Sequence, residues 1–220
     1  MFRLYSPARA ERIVSDHALE LRELSGRYGI PAAYIMAVLR KEIAEIDILD
    51  PLADLAVRFY WLRYSLRRFL KKHGLVRSAE PLLRRGPFGK RDSSTGFGQI
   101  FAFVAINAIN YALDRGLDTP DGLGVPSDRR LRPDDPEDLR CMWLRLQRDR
   151  SFNAQASILN LISAAEEMNA HTDFARYTPE EIQRTLTRYN ANVRTVTAYG
   201  RDAYRYYLDY LACAGEAAQA

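Results

Sequence analysis

The chain is poor in cysteine, histidine and lysine. Its 220 residues include two Cys (Cys141 and Cys213) and three His (His17, His73 and His171), none in CxxC or Cys/His spacing. No disulfide framework and no metal centre built on those ligands is expected, and the sequence implies no cofactor. Lysine occurs only at 41, 71, 72 and 90, so arginine supplies nearly all the positive charge. No apolar run approaches the ~18 residues of a membrane span. The opening MFRLYSPARAERIVSDHALEL scatters charges through its apolar residues, so neither a span nor a secretory leader is expected there. Internal repeats and a convincing set of strands are also missing.

Hydrophobic residues make up 47% of the chain and charged ones 27%, which excludes disordered and collagen-like classes. The net charge of +4 is a mild basic bias that suits an anionic polymer or surface without naming one.

The apolar spacing predicts helices over 8–27, 31–49, 51–73, 96–115, from 136, over 151–169, from 179 and over 195–212. Pro31 marks one helix start and Asp50-Pro51 another, with Asp50 as its candidate cap. Ser151 is a candidate cap, and Thr178 with Glu181 fits a capping box. Stretches 75–95 and 116–135, rich in Gly, Pro and Ser or Asp, read as loops. Helix 96–115 is apolar almost all round, which places it in the middle of a domain. The expected architecture is all-α, one domain of seven or eight helices. Residues 1–29 form an N-terminal helix packed on a main body of 30–220.

Segment 58–91 is basic: Arg58, Arg63, Arg67, Arg68, Lys71, Lys72, Arg77, Arg84, Arg85, Lys90 and Arg91 stand against Glu80 alone. Tyr60, Trp61, Tyr64 and Phe69 lie among them. It reads either as a solvated charged face or as a binding face for an anionic polymer such as nucleic acid.

Three signals bear on chemistry. Glu42 shares a helical stripe with Ile35, Leu39, Ile46 and Leu49, at steps of four, three, four and three. A carboxyl group in an apolar row is desolvated, which favours the neutral form that a general acid needs. Pairing with one of the many arginines is the structural alternative. Glu45, Asp47, Asp50 and Asp54 follow as an acidic cluster without EF-hand spacing. The second signal is Gly96-Phe97-Gly98-Gln99-Ile100, where two glycines permit close backbone approach and Gln99 can bond an amide or hydroxyl. It follows no strand, so it is no dinucleotide fingerprint. The third is Tyr189-Asn190, near a helix end.

In this order the signals resemble the lysozyme-like superfamily, in particular lytic transglycosylases and goose-type lysozymes. Ile30-Pro31 with the run Ile35 to Glu42 is similar to the helix that ends in that family's catalytic Glu. Gly96 to Ile100 resembles its G-x-x-Q-I stretch. Ser151-Phe152-Asn153 resembles its central "F-N" helix, and Leu186 to Ala191 its "A-Y-N-A-G" motif. The final Tyr-rich helix also has a counterpart. The likeness spans roughly 30–212. The chain departs from it at Ile43, where the family has Ser, and at Asn192, where it prefers Gly. It departs again in the long interval from Glu42 to Gly96, which reads as a basic helical insertion at about 51–91.

The resemblance implies an enzyme that cleaves peptidoglycan strands between N-acetylmuramic acid and N-acetylglucosamine, with Glu42 protonating the glycosidic oxygen. A lytic transglycosylase needs no second acid, because the muramic 6-hydroxyl attacks and leaves an anhydro end. An inverting hydrolase needs a second carboxylate about 6.5–9.5 Å away; Asp92 is the candidate and Asp47 a weaker one. Gly96, Gly98, Gln99, Tyr189 and Asn190 would bind substrate, with Tyr189 reaching the catalytic carboxyl or a sugar face. Tyr199, Tyr204, Tyr206, Tyr207 and Tyr210 read as packing. A monomer is expected. The competing readings are a non-enzymatic module that binds nucleic acid through 58–91 and a lysozyme-like fold used for binding alone.

Overall fold

The computed structural model of the chain describes residues 3–79, 89–169 and 171–217, with side chains through 213. Among these residues the fold is all-α. Its helices are α1 (Pro7–Asp16), α2 (Ala18–Arg27), α3 (Ala32–Glu45), α4 (Asp50–Lys72), α5 (Ala102–Asp114), α6 (Pro120–Leu123), α7 (Pro136–Arg148), α8 (Arg150–Met168), α9 (Pro179–Asn190) and α10 (Ala198–Ala217). The only ladder pairings among the described residues are two isolated bridges, Arg3 with Asp47 and Thr95 with Ile100.

Helix α8 is the centre. It buries residues all round, from Phe152 to Ala165, and its Ala154, Ala156, Ala164 and Ala165 let neighbours approach closely. Helices α3, α5, α7 and α9 pack around it, and α10 closes over α3 and α9. Helix α3 is nearly as buried from Ala33 to Leu39. The expected central helix, α5, turns only one face inward: Ala105, Ile106, Ile109 and Ala112 are buried, while Phe103 is 45% exposed.

Ten helices stand among the described residues where seven or eight were expected, because helix 8–27 is split and α6 lies in the stretch 116–135 read as loop; several boundaries differ as well. Helix 8–27 is two helices, broken at His17, with α1 capped by Ser6; both pack on α3. Asp50 does not cap α4. It already lies inside the helix and accepts from the Asp47 N–H at 2.8 Å. The cap of α8 is Asp149, accepting from Phe152 N at 2.9 Å, and not Ser151. Asp135 caps α7, and both halves of the Thr178–Glu181 capping box are formed on α9. Helix α5 starts six residues later than the periodicity predicts. Gly96 (φ +71°) and Gln99 (φ +46°) are left-handed there, so 96–101 is a tight loop. Of the basic segment, Arg84, Arg85 and Glu80 lie outside the described residues.

Candidate active site

A cleft of about 550 Å3 opens between the end of α3, the start of α5, the middle of α8 and the end of α9. Glu42, Gln99, Tyr189 and Asn190 line it together, although they are widely separated in sequence. Phe101, Phe103, Asn107, Asn160, Ser163, Arg188 and Asn192 complete its character. Glu42 is the only carboxylate among the described residues that line it. Arg188 is the only cation there, and Glu167 holds it at 2.7 Å.

Glu42 sits in the last turn of α3, half-buried, with a face on the cleft. Burial pushes its carboxyl up from 4.5 to about 8, and the charges of Glu45 and Asp50 push the same way. The Tyr199 hydroxyl and Lys41 oppose them. The acid is therefore largely protonated at neutral pH. Its partner is not one of the surrounding arginines. The Tyr199 hydroxyl donates to Oε1 at 2.5 Å, from the first turn of α10.

That contact depends on how α10 is seated. A Cβ on Gly200 would lie 2.0 Å from Thr187 Oγ1 and 2.6 Å from the Gln183 carbonyl, so only glycine lets α10 meet α9 this closely. Buried Lys41 ties α10 to α3, bonding Asp202 of α10 at 2.9 Å and Glu45 of its own helix at 2.7 Å. From the sequence alone Tyr199 reads as packing. It is buried, but its hydroxyl holds the acid, and no local pattern distinguishes it from the other tyrosines of α10.

Gly96 and Gly98, expected to bind substrate, do not line the cleft. They shape the loop that carries Gln99. A Cβ on Gly96 would stand 2.2 Å from Asn153 Nδ2 and from the Leu146 carbonyl; one on Gly98 would stand 2.2 Å from Ser157 Oγ. Fully buried Asn153 clamps this loop. Its Oδ1 accepts from Gly98 N at 2.5 Å, and its Nδ2 donates to the carbonyls of Thr95 and Leu146, each at 3.1 Å. Gln99 Nε2 donates to the Gly96 carbonyl at 2.8 Å while the side chain borders the cleft. Tyr189 does not bond Glu42. Its hydroxyl donates to the Gly98 carbonyl at 2.7 Å and lies 3.0 Å from Ser157 Oγ.

Asp92 is not in the cleft either. Its carboxylate accepts from the backbone N–H groups of Ser93 (2.9 Å), Ala102 (3.0 Å) and Phe103 (3.0 Å), at the start of α5. Burial raises it from 3.8 to about 6 against those three donors. Its oxygens are committed to the helix terminus and are poorly placed to activate water. Asp47, the weaker candidate, accepts from Leu49 N at 2.7 Å in the turn before α4. Asp54 binds Ser93 Oγ (2.7 Å), Thr95 Oγ1 (3.0 Å) and Gln147 Nε2 (2.9 Å), joining α4 to the glycine loop and α7.

The aromatics interleaved in the basic segment are mostly unavailable for stacking on bases. Tyr60, Trp61 and Tyr64 are buried on the inner face of α4, and Trp61 stacks edge-on to both tyrosines.

In chemical terms the cleft offers one carboxyl group that burial pushes toward its neutral form, a row of carboxamides and two aromatic rings at its rim. The carboxamides of Asn107, Asn160, Asn190 and Asn192 suit hydroxyl and acetamido groups, and Phe101 and Phe103 suit flat apolar faces. No protein-family model, no curated protein and no solved structure matches the chain.

Proposed function

We propose that the protein cleaves the glycan strand of peptidoglycan as a lytic transglycosylase, with Glu42 as its single catalytic acid. The observation that carries this is Glu42, held by Tyr199 and pushed up by burial, on a polar cleft whose described lining holds no other carboxylate. Glu42 gives its proton to the glycosidic oxygen, and the bond from C1 of the muramic residue to that oxygen breaks. The muramic 6-hydroxyl attacks C1, its proton passes to the Glu42 carboxylate, and a 1,6-anhydro end remains. No water enters the balance, so no second carboxylate is needed, in contrast to an inverting hydrolase.

The resemblance to the lysozyme-like superfamily supports this reading at the same positions: Glu42 at the end of α3, Gln99 on the glycine loop, Asn153 in the central helix and Tyr189-Asn190 at the end of α9. The carboxamides of the cleft fit the N-acetyl and hydroxyl groups of an amino-sugar polymer. Tyr199 holds Oε1 and leaves the other oxygen to carry the proton.

The test is digestion of purified peptidoglycan by the native protein and by Glu42→Gln, with products read by mass spectrometry. Anhydromuramyl ends that vanish in Glu42→Gln are expected. Reducing ends would make the protein a hydrolase, and activity that survives in Glu42→Gln would remove the acid from the mechanism.

A further inference from the structure

Helix α4 presents a second feature that the cleft chemistry does not use. Its inner face buries Val57, Tyr60, Trp61 and Tyr64. On its outer side Leu52, Leu55, Phe59, Leu62, Leu66 and Phe69 follow one another at alternating steps of three and four, each between 48% and 67% exposed. Those steps put all six on one line along the helix. Ile48 and Leu49, 50% and 62% exposed, extend the line past the helix start. Scattered exposed leucines are ordinary, but a continuous line of them is not. Together the eight side chains leave on the order of 900 Å2 uncovered, more than the roughly 300–600 Å2 of the largest patch on a typical monomer.

The charge beside the line is of one sign. Arg58, Arg63 and Lys72 flank it, with Arg67 and Lys71 further round the helix. No acidic side chain among the described residues pairs with any of these five. The two acids of α4 are engaged inward or in the preceding turn, Asp54 by Ser93, Thr95 and Gln147 and Asp50 by Asp47 N. Residues 80–88, outside the described residues, contribute Arg84 and Arg85 against Glu80 to the sequence.

The charge decides what fits. A second copy on this line would set Arg58, Arg63 and Lys72 of each chain beside the same residues of the other if parallel, and Arg58 against Arg63 if antiparallel about the middle of the line. An anionic bilayer satisfies both halves of the pattern: leucine and phenylalanine enter the boundary of headgroups and acyl chains, and arginines meet phosphates. We propose that α4 docks the protein onto an anionic phospholipid surface, lying in the interface without crossing it. No helix of the described residues is long and apolar enough to cross a membrane.

The experiment is co-sedimentation with vesicles of phosphatidylcholine containing phosphatidylglycerol, against vesicles of phosphatidylcholine alone. The native protein is expected to bind the anionic vesicles and to be released by salt. Leu62→Glu combined with Leu66→Glu is expected to lower partitioning about 100-fold, roughly tenfold for each lost insertion. Both positions are exposed, so circular dichroism should be unchanged. Arg63→Gln with Lys72→Gln should lower partitioning roughly fivefold per charge on anionic vesicles and leave phosphatidylcholine binding alone. Glu42→Gln should sediment like the native protein, which separates this proposal from the reading of the cleft. Native protein that stays in solution with anionic vesicles overturns the proposal, as does partitioning that neither double variant changes. A dimer at sedimentation equilibrium that the double Glu variant dissolves, without vesicle binding by the native protein, would assign the face to a second copy.

Discussion

The Tyr199 hydroxyl lies 2.5 Å from Oε1 of Glu42, joining two residues 157 positions apart in the chain. A buried carboxyl group in an arginine-rich protein would ordinarily be expected to find a guanidinium. Here it finds a phenol, which fixes one oxygen without supplying a full positive charge, so burial still dominates and the acid keeps its proton.

Tyr199→Phe removes that contact while keeping the ring. The hydroxyl favours the ionised form of Glu42, so its loss raises the acid further. Activity that needs protonated Glu42 falls off through about pH 8 in the native protein, and this alkaline limb moves to higher pH in the variant. Turnover drops roughly 10–100-fold because Oε1 is no longer held. A pH–rate profile of both proteins checks this; an unmoved alkaline limb would contradict it.

The same protonation governs stability. The folded protein holds a proton on Glu42 up to about pH 8, whereas the unfolded chain releases it near 4.5. The stability gained is whole below pH 4.5 and is lost as pH rises through 8. Asp92, raised from 3.8 to about 6, adds an earlier decline over its own range. Glu42→Gln keeps the Asp92 decline and lacks the Glu42 one. Melting temperatures followed against pH should therefore diverge above pH 4.5, the variant becoming the more stable protein by pH 8. A constant difference across the range would show that Glu42 is ionised in the fold.

Asp92→Asn separates a helix cap from a catalytic base. The asparagine retains one acceptor of two, so the variant loses about 1 kcal/mol in chemical denaturation. Peptidoglycan cleavage and the chemistry of the product end should be unchanged. A folded variant with activity down by about 100-fold or more would restore Asp92 to the mechanism.

Much was legible along the chain, because helix starts and apolar periodicity are local. The capping box at Thr178 and Glu181 formed as read. Glu42 lies half-buried on the α3 face that its stripe implied as far as Glu45, beyond which the helix ends and Leu49 is 62% exposed. Breaks inside periodic runs were less visible. Nothing at His17 announces the end of α1. The loop 96–101 hides in an apolar stretch because its left-handed residues include Gln99, a residue type that rarely adopts that conformation.

The helical class, about half of the helix termini and the acid's place in an apolar row can be read along the chain, since propensity, capping and spacing act over a few residues. The tertiary structure decided what each polar group does, because a hydrogen bond is set by which elements meet. It gave Asp92 to a helix terminus, the two glycines to a clamp on Asn153, Tyr189 to the Gly98 carbonyl and Tyr199 to Glu42. It also decided which side of α4 faces out, since Tyr60, Trp61 and Tyr64 fit against the domain and a full apolar line was left on the other side.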